Sequence, residues 1–425
     1  MPAKLKKVVI LGGGFAGLVT ARRLVRAGVV DRLCEVTVID AHDAHVYTPW
    51  LYEAASCALD GETRATKERM LGKAHLPYAT LPGFSQIRFV RSVIQLIDTQ
   101  TKYVNLERGR KMPFDILVIA LGAESNYFGV PGLPEHAFTL KHFEDAKKIH
   151  DATERLFDVA TARQPKYIVI AGAGPNGMEF VSELAHTLRA LERRAKIQYG
   201  AVKIALVDPS PELFTVLPPA LRVKAVRRFE RLGVELRAGL RVAEVTKGTV
   251  KAFTATGKST DTLELPADLC IWSAGIKMSP LIQLLPFLKD DRGRIVLENT
   301  YQVAGHPGIF AAGDCASLIN PHTKKADPQS AQVAHYQAHD LARNIVSFLE
   351  GKPLYSARLP KRWAFFSALG GHYAAGTLGG IRFSGRIAFW LRRFADLYYF
   401  LALLPVTVAV RFWLDGVRLY GKNDR

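Results

Sequence analysis

A glycine-rich turn that occurs twice constrains this chain more than any other feature of its sequence. The first copy, Gly-Gly-Gly-Phe-Ala-Gly at 12–17, follows the apolar run 8–11 and precedes a helical pattern. The second copy, Gly-Ala-Gly-Pro-Asn-Gly at 172–177, follows the apolar run 167–171 in the same way. In such turns backbone N–H groups approach a pyrophosphate at the N terminus of a helix. A lone glycine turn is weak evidence of a ligand, but its repetition in the same surroundings predicts two dinucleotide sites.

Each glycine turn leads on to an apolar strand that ends in an aspartate. Asp40 ends the first of these strands and Asp208 ends the second. A carboxylate at this place accepts hydrogen bonds from ribose hydroxyls, the alternative being an acid in a turn at the strand end. Because the charge of Asp208 would repel the extra phosphate of NADPH, we expect the second site to prefer NADH, although Arg222 and Lys224 lie close in sequence.

Two later strand ends add candidates for the first site. The apolar strand 114–122 ends in Gly122, and the strand 309–312 is followed by Gly313 and Asp314. We expect the latter pair to offer a carboxylate and free amides at the start of a helix, suited to the ribityl chain and phosphate of a flavin nucleotide; a simple helix cap is the alternative. The residues predicted to contact the two dinucleotides are Gly12, Gly14, Phe15, Ala16, Gly17, Asp40, Gly122, Gly313 and Asp314 in the first site, and Gly172, Gly174, Pro175, Asn176, Gly177, Asp208 and Gly275 in the second.

Charge and cysteine usage limit the surroundings in which this chain works. The net charge of +18 indicates attraction to a polyanion, and because zinc-finger spacings and arginine-rich arms are missing we expect an anionic membrane surface and no nucleic acid. The four cysteines form no close pair, which fits a reducing compartment. The apolar run at 8–11 is too short for a signal-peptide core, so export is not expected. His42 and His45 have no further ligands nearby in sequence, so no metal site is predicted.

The C-terminal part of the chain has a different composition. Residues 387–414 are nearly all apolar, and the longest uncharged stretch, 397–410, contains Pro405 and is too short to span a bilayer. We therefore expect an amphipathic anchor that lies in the membrane interface. Its arginines would face phospholipid headgroups and its aromatic residues would lie at the boundary: Arg386, Arg392, Arg393, Arg411 and Arg418 among the first, and Trp390, Tyr398, Tyr399 and Trp413 among the second.

Taken together, these motifs resemble those of the type II NADH dehydrogenases, single-chain flavoproteins similar in fold to glutathione reductase. The resemblance extends over nearly the whole chain. It depends on Gly-Gly-Gly-Phe-Ala-Gly-Leu at 12–18, His-Val-Tyr-Thr-Pro-Trp-Leu-Tyr at 45–52, Gly-Ala-Gly-Pro-Asn-Gly-Met-Glu at 172–179, Trp-Ser-Ala-Gly at 272–275, Gly-His-Pro-Gly-Ile-Phe-Ala-Ala-Gly-Asp at 305–314 and Ala-Gln-Val-Ala at 331–334.

The resemblance implies an α/β fold with two Rossmann-like dinucleotide-binding domains and a C-terminal amphipathic helical membrane anchor. It also implies a peripheral membrane enzyme on the cytoplasmic face, which passes a hydride from NADH to FAD and then electrons to a membrane quinone without pumping protons. Whether the chain forms a homodimer stays open. The predicted segments are 1–140 for the first part of the FAD-binding domain, 141–285 for the NADH-binding domain, 286–355 for the second part of the FAD-binding domain, and 356–425 for the membrane-associating segment.

Catalytic candidates also follow from the resemblance. Thr48 and Pro49 match residues that line the flavin, and Gln332 matches a glutamine at the junction of flavin and quinone. Glu179 matches a glutamate beside the nicotinamide, although a favourable charge near a helix N terminus is an equally good explanation of it. Tyr336 stands where the family often has a second glutamine, and its i, i+4 spacing from Gln332 predicts that both face the flavin. A packed helix face with a satisfied amide is the alternative.

Other functions of the same fold stay open. Sulfide:quinone or disulfide reduction needs a pair of cysteines near the flavin, and the spacing of the cysteines does not provide one. A redox-sensing or scaffold flavoprotein that binds both nucleotides but turns over slowly is a further alternative, which Tyr336 favours. The leucine of Ala120-Leu121-Gly122, where the family has threonine, also departs from the pattern.

Overall fold

The computed structural model describes residues 4–57, 64–255 and 262–421. Two separate parallel sheets form its framework, and their central strands are buried on both faces, as expected for near-continuous Val, Ile and Leu runs between helices. In spatial order the first sheet contains Gln302–Val303, His306–Ala311, Ile116–Ile119, Lys6–Leu11, Cys34–Asp40 and Ile87–Arg91, of which Gln302–Val303 alone is antiparallel to its neighbour.

The second sheet is parallel and repeats the arrangement of the first. In spatial order its strands are Ala137–Thr139, Leu269–Trp272, Lys166–Ala171, Val202–Asp208 and Val234–Ala238. Along the chain, strands of the first sheet come both before and after the strands of the second sheet. The first domain is therefore built from two separate parts of the chain. The strand Ala137–Thr139 already belongs to the second sheet, just before the predicted boundary at 140.

Smaller sheets and strand pairs connect and cover the two large sheets. Antiparallel three-stranded sheets comprise Ile94–Asp98, Tyr103–Leu106 and Lys111–Pro113, then Leu240–Thr246, Gly248–Thr254 and Thr262–Ala267, and finally Phe365–Ala368, Ala374–Leu378 and Ile381–Gly385. Strand pairs join Ala44–Val46 to His75–Pro77, Glu124–Ser125 to Ile276–Lys277, and Ile295–Val296 to Ala316–Ser317.

Helices cover both sheets and form the C-terminal end. The α-helices are Phe15–Arg26, Leu51–Ser56, Arg64–Gly72, Leu133–His136, Phe143–Val159, Pro175–Arg193, Pro219–Arg231, Pro280–Leu284, Ala331–Leu349, Arg386–Leu403 and Val406–Tyr420, and the 3₁₀-helices are Thr48–Trp50, Tyr78–Thr80 and Glu107–Gly109.

The predicted α/β fold with two Rossmann-like domains is confirmed, and the C-terminal segment is more elaborate than predicted. The strands between 365 and 385 form a sheet that the sequence reasoning missed, although the glycine pairs at 370–371 and 379–380 mark its turns. The apolar stretch after it forms two helices separated at Pro405. Within the described ranges, no helix combines the length and the apolar character that crossing a membrane requires.

Candidate active site

The first glycine turn has the shape that binding of a pyrophosphate requires. Gly12 has a φ of +98°, and a Cβ at this position would lie 2.4 Å from the carbonyl oxygen of Ala120 in the neighbouring strand connection. A Cβ at Gly17 would lie 1.9 Å from the oxygen of Gly12, so the helix packs closely onto the turn. Over Gly14, by contrast, a Cβ would meet no described atom within 4 Å. Gly14, the second glycine of the Gly-x-Gly-x-x-Gly pattern, therefore leaves open space where phosphate oxygens can approach the backbone.

The second glycine turn repeats this geometry. Gly172 has a φ of +105°, and its Cβ would clash with the backbone at Ser273 and Ala274; the Cβ of Gly177 would lie 1.9 Å from the oxygen of Gly172. Gly174 again has no described atom within 4 Å of its Cβ position. Among the described residues no side chain caps either helix, so N–H groups of the first turn are available to an anion. Phe15 and Ala16 begin the first of these helices, and Pro175 and Asn176 begin the second on an exposed surface.

The two strand-end aspartates orient the turns. Asp40 Oδ2 accepts a hydrogen bond of 2.7 Å from the backbone N–H of Gly13, and Asp208 Oδ2 accepts one of 2.7 Å from that of Ala173. The other oxygen of each carboxylate accepts an N–H two residues further on, at 2.8 Å. A carboxylate oxygen has two lone pairs. Each carboxylate can therefore hold the turn and still accept a ribose hydroxyl.

The cations close to Asp208 in sequence have partners elsewhere. Arg222 forms an ion pair with Glu212, and the Lys224 ammonium group donates a hydrogen bond of 3.0 Å to the hydroxyl of Ser384. The preference of the second site for NADH, which the charge of Asp208 predicts, therefore stays a prediction that these two cations do not weaken.

The structure corrects the surroundings of Gly313 and Asp314. The predicted helix start after them is wrong: the chain continues into Ala316–Ser317, which pairs with Ile295–Val296, and the helix begins at Ala331. Ser330, whose hydroxyl accepts a hydrogen bond from the Val333 N–H, is the capping residue that could have indicated this start.

Gln337 takes part in the same region and was missed as a site residue. Its Oε1 accepts a hydrogen bond of 2.8 Å from the Gly313 N–H, which is therefore not a free amide. The side chains of Ala16 and Ala334 lie 3.5 Å from the Cβ position of Gly313. The segment around Gly313 therefore packs against the helix that follows the first glycine turn. Burial raises the pKa of Asp314. A carboxyl in this environment gains from a hydroxyl donor, which a ribityl chain offers.

Glu179 lies in the first turns of the helix Pro175–Arg193 and is buried. Its Oε1 accepts a hydrogen bond of 3.2 Å from the Ala368 N–H and lies 3.4 Å from Arg392 Nε. Burial raises its pKa, although the guanidinium of Arg392 and the N–H of Ala368 oppose this effect. Glu179 thus connects the second domain to the C-terminal sheet and to the first C-terminal helix.

Arg392 and Arg393 are buried, so the prediction that they face phospholipid headgroups is wrong. Arg392 Nη1 donates a hydrogen bond of 2.6 Å to Asp396 Oδ1, and Arg393 binds both carboxylate oxygens of Glu53, with Nη1 2.9 Å from Oε2. The predicted boundary positions of Tyr399 and Trp413 are wrong for the same reason, since both side chains are buried.

The segment predicted to line the flavin contacts this charged cluster. Thr48 and Pro49 lie in a 3₁₀ turn and are partly exposed, and the carbonyl oxygen of Pro49 accepts a hydrogen bond of 3.0 Å from Arg392 Nη2. Arg392 therefore links this turn to Glu179, so the first domain, the second domain and the C-terminal helix meet at one side chain. Gly122 and Gly275, at the ends of strands of the two sheets, have φ of +67° and +81°.

Gln332 and Tyr336 share the helix Ala331–Leu349, as predicted, near its N terminus. Gln332 is exposed, whereas the Tyr336 hydroxyl donates a hydrogen bond to the carbonyl oxygen of Arg358 and its ring makes an edge contact with Trp363. Their placement beside a flavin stays a prediction.

The cysteines do not form a reactive pair within the described ranges. Cys34, Cys57, Cys270 and Cys315 are buried and free, and burial raises the pKa of each thiol, to about 12 for Cys270 and Cys315. A buried thiol of raised pKa carries little nucleophilic thiolate. Disulfide or sulfide chemistry therefore has no support in this structure. The same described part of the chain holds no group of three or more potential metal ligands.

Comparison with known proteins agrees with this geometry. A family model described as pyridine nucleotide-disulphide oxidoreductase matches residues 6–338. The chain is 30% identical over 397 residues to a type II NADH:quinone oxidoreductase of Staphylococcus saprophyticus, covering 92% of this chain and 94% of the relative. It is 29% identical over 396 residues to that of Staphylococcus aureus, with the same coverage.

Solved structures share the fold over nearly the whole length. NDH2 from Plasmodium falciparum in complex with NADH gives a TM-score of 0.81 at 17% identity, over 98% of this chain and 99% of that one. A sulfide:quinone oxidoreductase from Aquifex aeolicus gives 0.75 at 20% identity, over 96% and 92%.

The fold and the paired glycine turns define a two-dinucleotide oxidoreductase. The chain belongs to the pyridine nucleotide-disulphide oxidoreductase family and, within it, to the type II NADH:quinone oxidoreductases.

Proposed function

We propose that this chain oxidises NADH with a bound FAD and reduces a membrane quinone. The observation that carries the proposal is the duplicated turn, in which an open second glycine, an uncapped helix and an oriented aspartate recur on two separate sheets. The named relatives support NADH and quinone as the substrates. FAD belongs to the first turn, because the first sheet also carries Gly122, Gly313 and Asp314 at its strand ends.

Each part of the site has a separate task in this proposal. FAD, when bound, supplies a hydride acceptor that can return electrons to a quinone. The turn at 12–17 and Asp40 hold its pyrophosphate and ribose, and Thr48 and Pro49 are proposed to line its ring system. The turn at 172–177 and Asp208 hold NADH. Gln332 is proposed to donate a hydrogen bond to a quinone oxygen, which becomes more basic as electrons arrive. Tyr336, whose hydroxyl proton is held by the carbonyl oxygen of Arg358, is proposed to lie beside it on the same helix.

The proposal is tested by adding NADH to the purified protein first and a quinone afterwards, so that the two half-reactions are measured separately. Purified protein should be yellow and should release FAD on denaturation. In stopped-flow experiments NADH oxidation should be complete in a single turnover without quinone, and consumption of a soluble quinone should follow when it is added. Colourless protein that cannot be reconstituted with FAD would refute the proposal. Single-turnover NADH oxidation without quinone consumption would instead indicate the redox-sensing alternative.

Asp208→Asn is expected to narrow the preference for NADH over NADPH by about tenfold. The wild-type carboxylate faces the place of the extra phosphate, and each tenfold in affinity corresponds to about 1.4 kcal/mol. The amide keeps one acceptor oxygen, which can still hold the N–H of Ala173, but it loses the charge. The measurement is the ratio of kcat/KM for the two nucleotides. Asp268→Asn, at the opposite end of the same sheet, is the control, and an unchanged ratio in Asp208→Asn would contradict the prediction.

The C-terminal helices are proposed to bind the membrane through their exposed face. The exposed apolar residues of the first helix recur at intervals of three or four, which places them on one side; they are Ile387, Trp390, Phe394 and Tyr398, followed by Val406, Val408 and Leu414 on the second helix. Arg386, Arg411 and Arg418 are exposed, as predicted, and can pair with anionic headgroups. The buried, free cysteines fit the cytoplasmic face, where thiols stay reduced.

Replacing both Trp390 and Phe394 by serine is expected to weaken binding to phosphatidylglycerol vesicles by roughly 100-fold or more, because burial of each aromatic side chain contributes roughly 1.5–3 kcal/mol and about 1.4 kcal/mol corresponds to tenfold in affinity. Co-sedimentation with vesicles measures the change. Tyr199→Ser, which removes an exposed aromatic residue of the second domain, should bind as wild type does. Equal binding of the double variant would show that this face does not insert. Deleting the chain from Ile387 onward would be a poorer test, because it also removes the buried side chains of Arg392 and Arg393.

A further inference from the structure

The helix Arg386–Leu403 carries a second functional side that faces away from the exposed apolar residues. Asp396 and Tyr399 lie on this side, only 1% and 3% exposed. Both contact loops of the first nucleotide site, and each does so through hydrogen bonds that span more than 340 residues of sequence.

Asp396 holds both ends of the turn that contains Thr48 and Pro49. Its Oδ1 accepts a hydrogen bond of 2.7 Å from the Tyr47 hydroxyl, and its Oδ2 accepts one of 3.0 Å from Trp50 Nε1. Burial and the neighbouring carboxylate of Asp396 raise the pKa of Tyr47, so its hydroxyl keeps its proton and stays a donor. The turn is thus attached to the helix immediately before and immediately after the two residues proposed to line the flavin.

Tyr399 acts on the first glycine turn through His45. His45 Nδ1 lies 3.2 Å from the carbonyl oxygen of Gly13, which only a protonated nitrogen can bind. Burial lowers the pKa of His45 to about 4, so the ring is neutral near pH 7 and its Nε2 is an acceptor. The Tyr399 hydroxyl, 2.8 Å away, therefore donates to Nε2. Donor and acceptor roles can thus be assigned consistently from the Tyr399 hydroxyl through the His45 ring to the Gly13 carbonyl oxygen.

The peptide groups on both sides of Gly13 are consequently held. Its carbonyl oxygen accepts hydrogen bonds from His45 and, at 3.1 Å, from the Tyr78 hydroxyl, while its N–H donates to Asp40. The N–H of Gly14 belongs to the same planar trans peptide group as this carbonyl and therefore points the opposite way, away from these donors. It is the N–H group that we expect to meet a phosphate oxygen.

We propose that Asp396 and Tyr399 are positioning residues for FAD: the helix whose outer face meets the membrane holds the two cofactor loops with its inner face. The inference depends on the proposed function, which puts FAD in the first site. It predicts that the C-terminal helix contributes to cofactor retention as well as to membrane binding.

The test is the rate of FAD release from the full-length protein, followed by the fluorescence of free FAD after dilution. Tyr399→Phe and Asp396→Asn should each release FAD about three- to tenfold faster than wild type, as expected for one lost buried hydrogen bond. Tyr47→Phe removes one of the hydrogen bonds that Asp396 accepts and should therefore speed FAD release by no more than Asp396→Asn does. Tyr47→Phe combined with Asp396→Asn should release FAD less quickly than the two separate effects predict, because the two residues share one hydrogen bond. Asp396→Asn leaves the carboxyls of Glu53 and Glu179 opposite the guanidinium groups of Arg392 and Arg393, so neither arginine is left without a carboxyl partner.

Matched controls distinguish positioning from general destabilisation. Tyr398→Phe removes the hydroxyl next to Tyr399, from a side chain that is 59% exposed. Asp415→Asn removes a carboxylate from the following helix, Val406–Tyr420, where it forms ion pairs with Arg69 and Lys73. Both should release FAD as wild type does. If Tyr399→Phe and Asp396→Asn release FAD at the wild-type rate, even with a lowered Tm, the inference is overturned while the proposed function stands. Wild-type protein that binds no FAD would overturn the proposed function and the inference together.

Discussion

Replacing Arg393 by methionine is expected to lower the free energy of unfolding by about 3–5 kcal/mol, because it leaves the carboxylate of Glu53 buried without a partner. Glu53 is 3% exposed, and Arg393 binds both of its oxygens. Denaturant unfolding of the full chain measures the loss. Arg411→Met, which removes an exposed arginine from the next helix, should change stability by less than about 0.5 kcal/mol. Glu53→Leu combined with Arg393→Met should be more stable than Arg393→Met alone, because no buried charge is then left unpaired.

The loss of unfolding free energy in Arg393→Met, called the deficit below, should also depend on pH. Burial raises the pKa of Glu53 even with Arg393 present, and Arg393 is the main group that opposes this effect. Without it the folded-state pKa rises further above the unfolded value. A carboxyl of raised folded-state pKa binds its proton more tightly when folded, so stability falls as pH rises through that pKa. The deficit is therefore expected to be larger at about pH 8 than at about pH 5. A deficit that does not change with pH would contradict this account.

The buried arginines show why part of this site could not be predicted from sequence. Both nucleotide turns were predicted because each depends on a strand, a few glycines and a helix start that are neighbours in sequence. Besides Asp396 on the same helix, the carboxylate partners of Arg392 and Arg393 lie 213 and 340 residues away, at Glu179 and Glu53. An arginine in an apolar helix has the same local pattern whether it meets a lipid headgroup or a buried carboxylate. Only the tertiary structure distinguishes the two.

Side-chain contacts to backbone were missed for a related reason. Gln337 was passed over in favour of Gln332 and Tyr336, since i, i+4 spacing on a helix defines a face but not what that face contacts. The structure shows that Gln337 holds the N–H of Gly313. The sequence indicates no individual role for His45 beyond its place in the motif at 45–52, whereas in the structure its ring connects Tyr399 to the first glycine turn.

The buried cluster around Glu179 holds an unequal number of acids and bases. Within the described ranges, ion-pair contacts connect the carboxyls of Glu53, Glu179 and Asp396 with the guanidinium groups of Arg392 and Arg393. Full ionisation would leave one negative charge unbalanced in an apolar surrounding, which is costly, and binding of one proton removes it.

Glu179 is the carboxyl best placed to hold that proton. Glu53 binds Arg393 through both oxygens, and Asp396 accepts hydrogen bonds from Arg392, Tyr47 and Trp50. Among the residues that the structure describes, the Glu179 carboxyl has the 3.4 Å contact with Arg392 Nε and one hydrogen bond from a backbone N–H, and burial raises its pKa. The proposed reaction consumes a proton, because quinol carries two hydrogens whereas NADH provides a hydride. One further proton must come from the protein or from water.

Glu179→Gln is therefore expected to slow quinone consumption by roughly 10²-fold, the usual contribution of a positioned proton donor, and to leave single-turnover NADH oxidation much less affected. In wild type the rate of quinone consumption should fall as pH rises through the raised pKa of Glu179, and the glutamine variant should lose this dependence. Glu183→Gln is the control: its carboxyl lies one turn further along the same helix and accepts a hydrogen bond of 3.2 Å from the Gly371 N–H. A slower NADH oxidation step with unchanged quinone consumption would assign Glu179 to nicotinamide binding instead, since a group that only positions NADH has no reason to affect the second step.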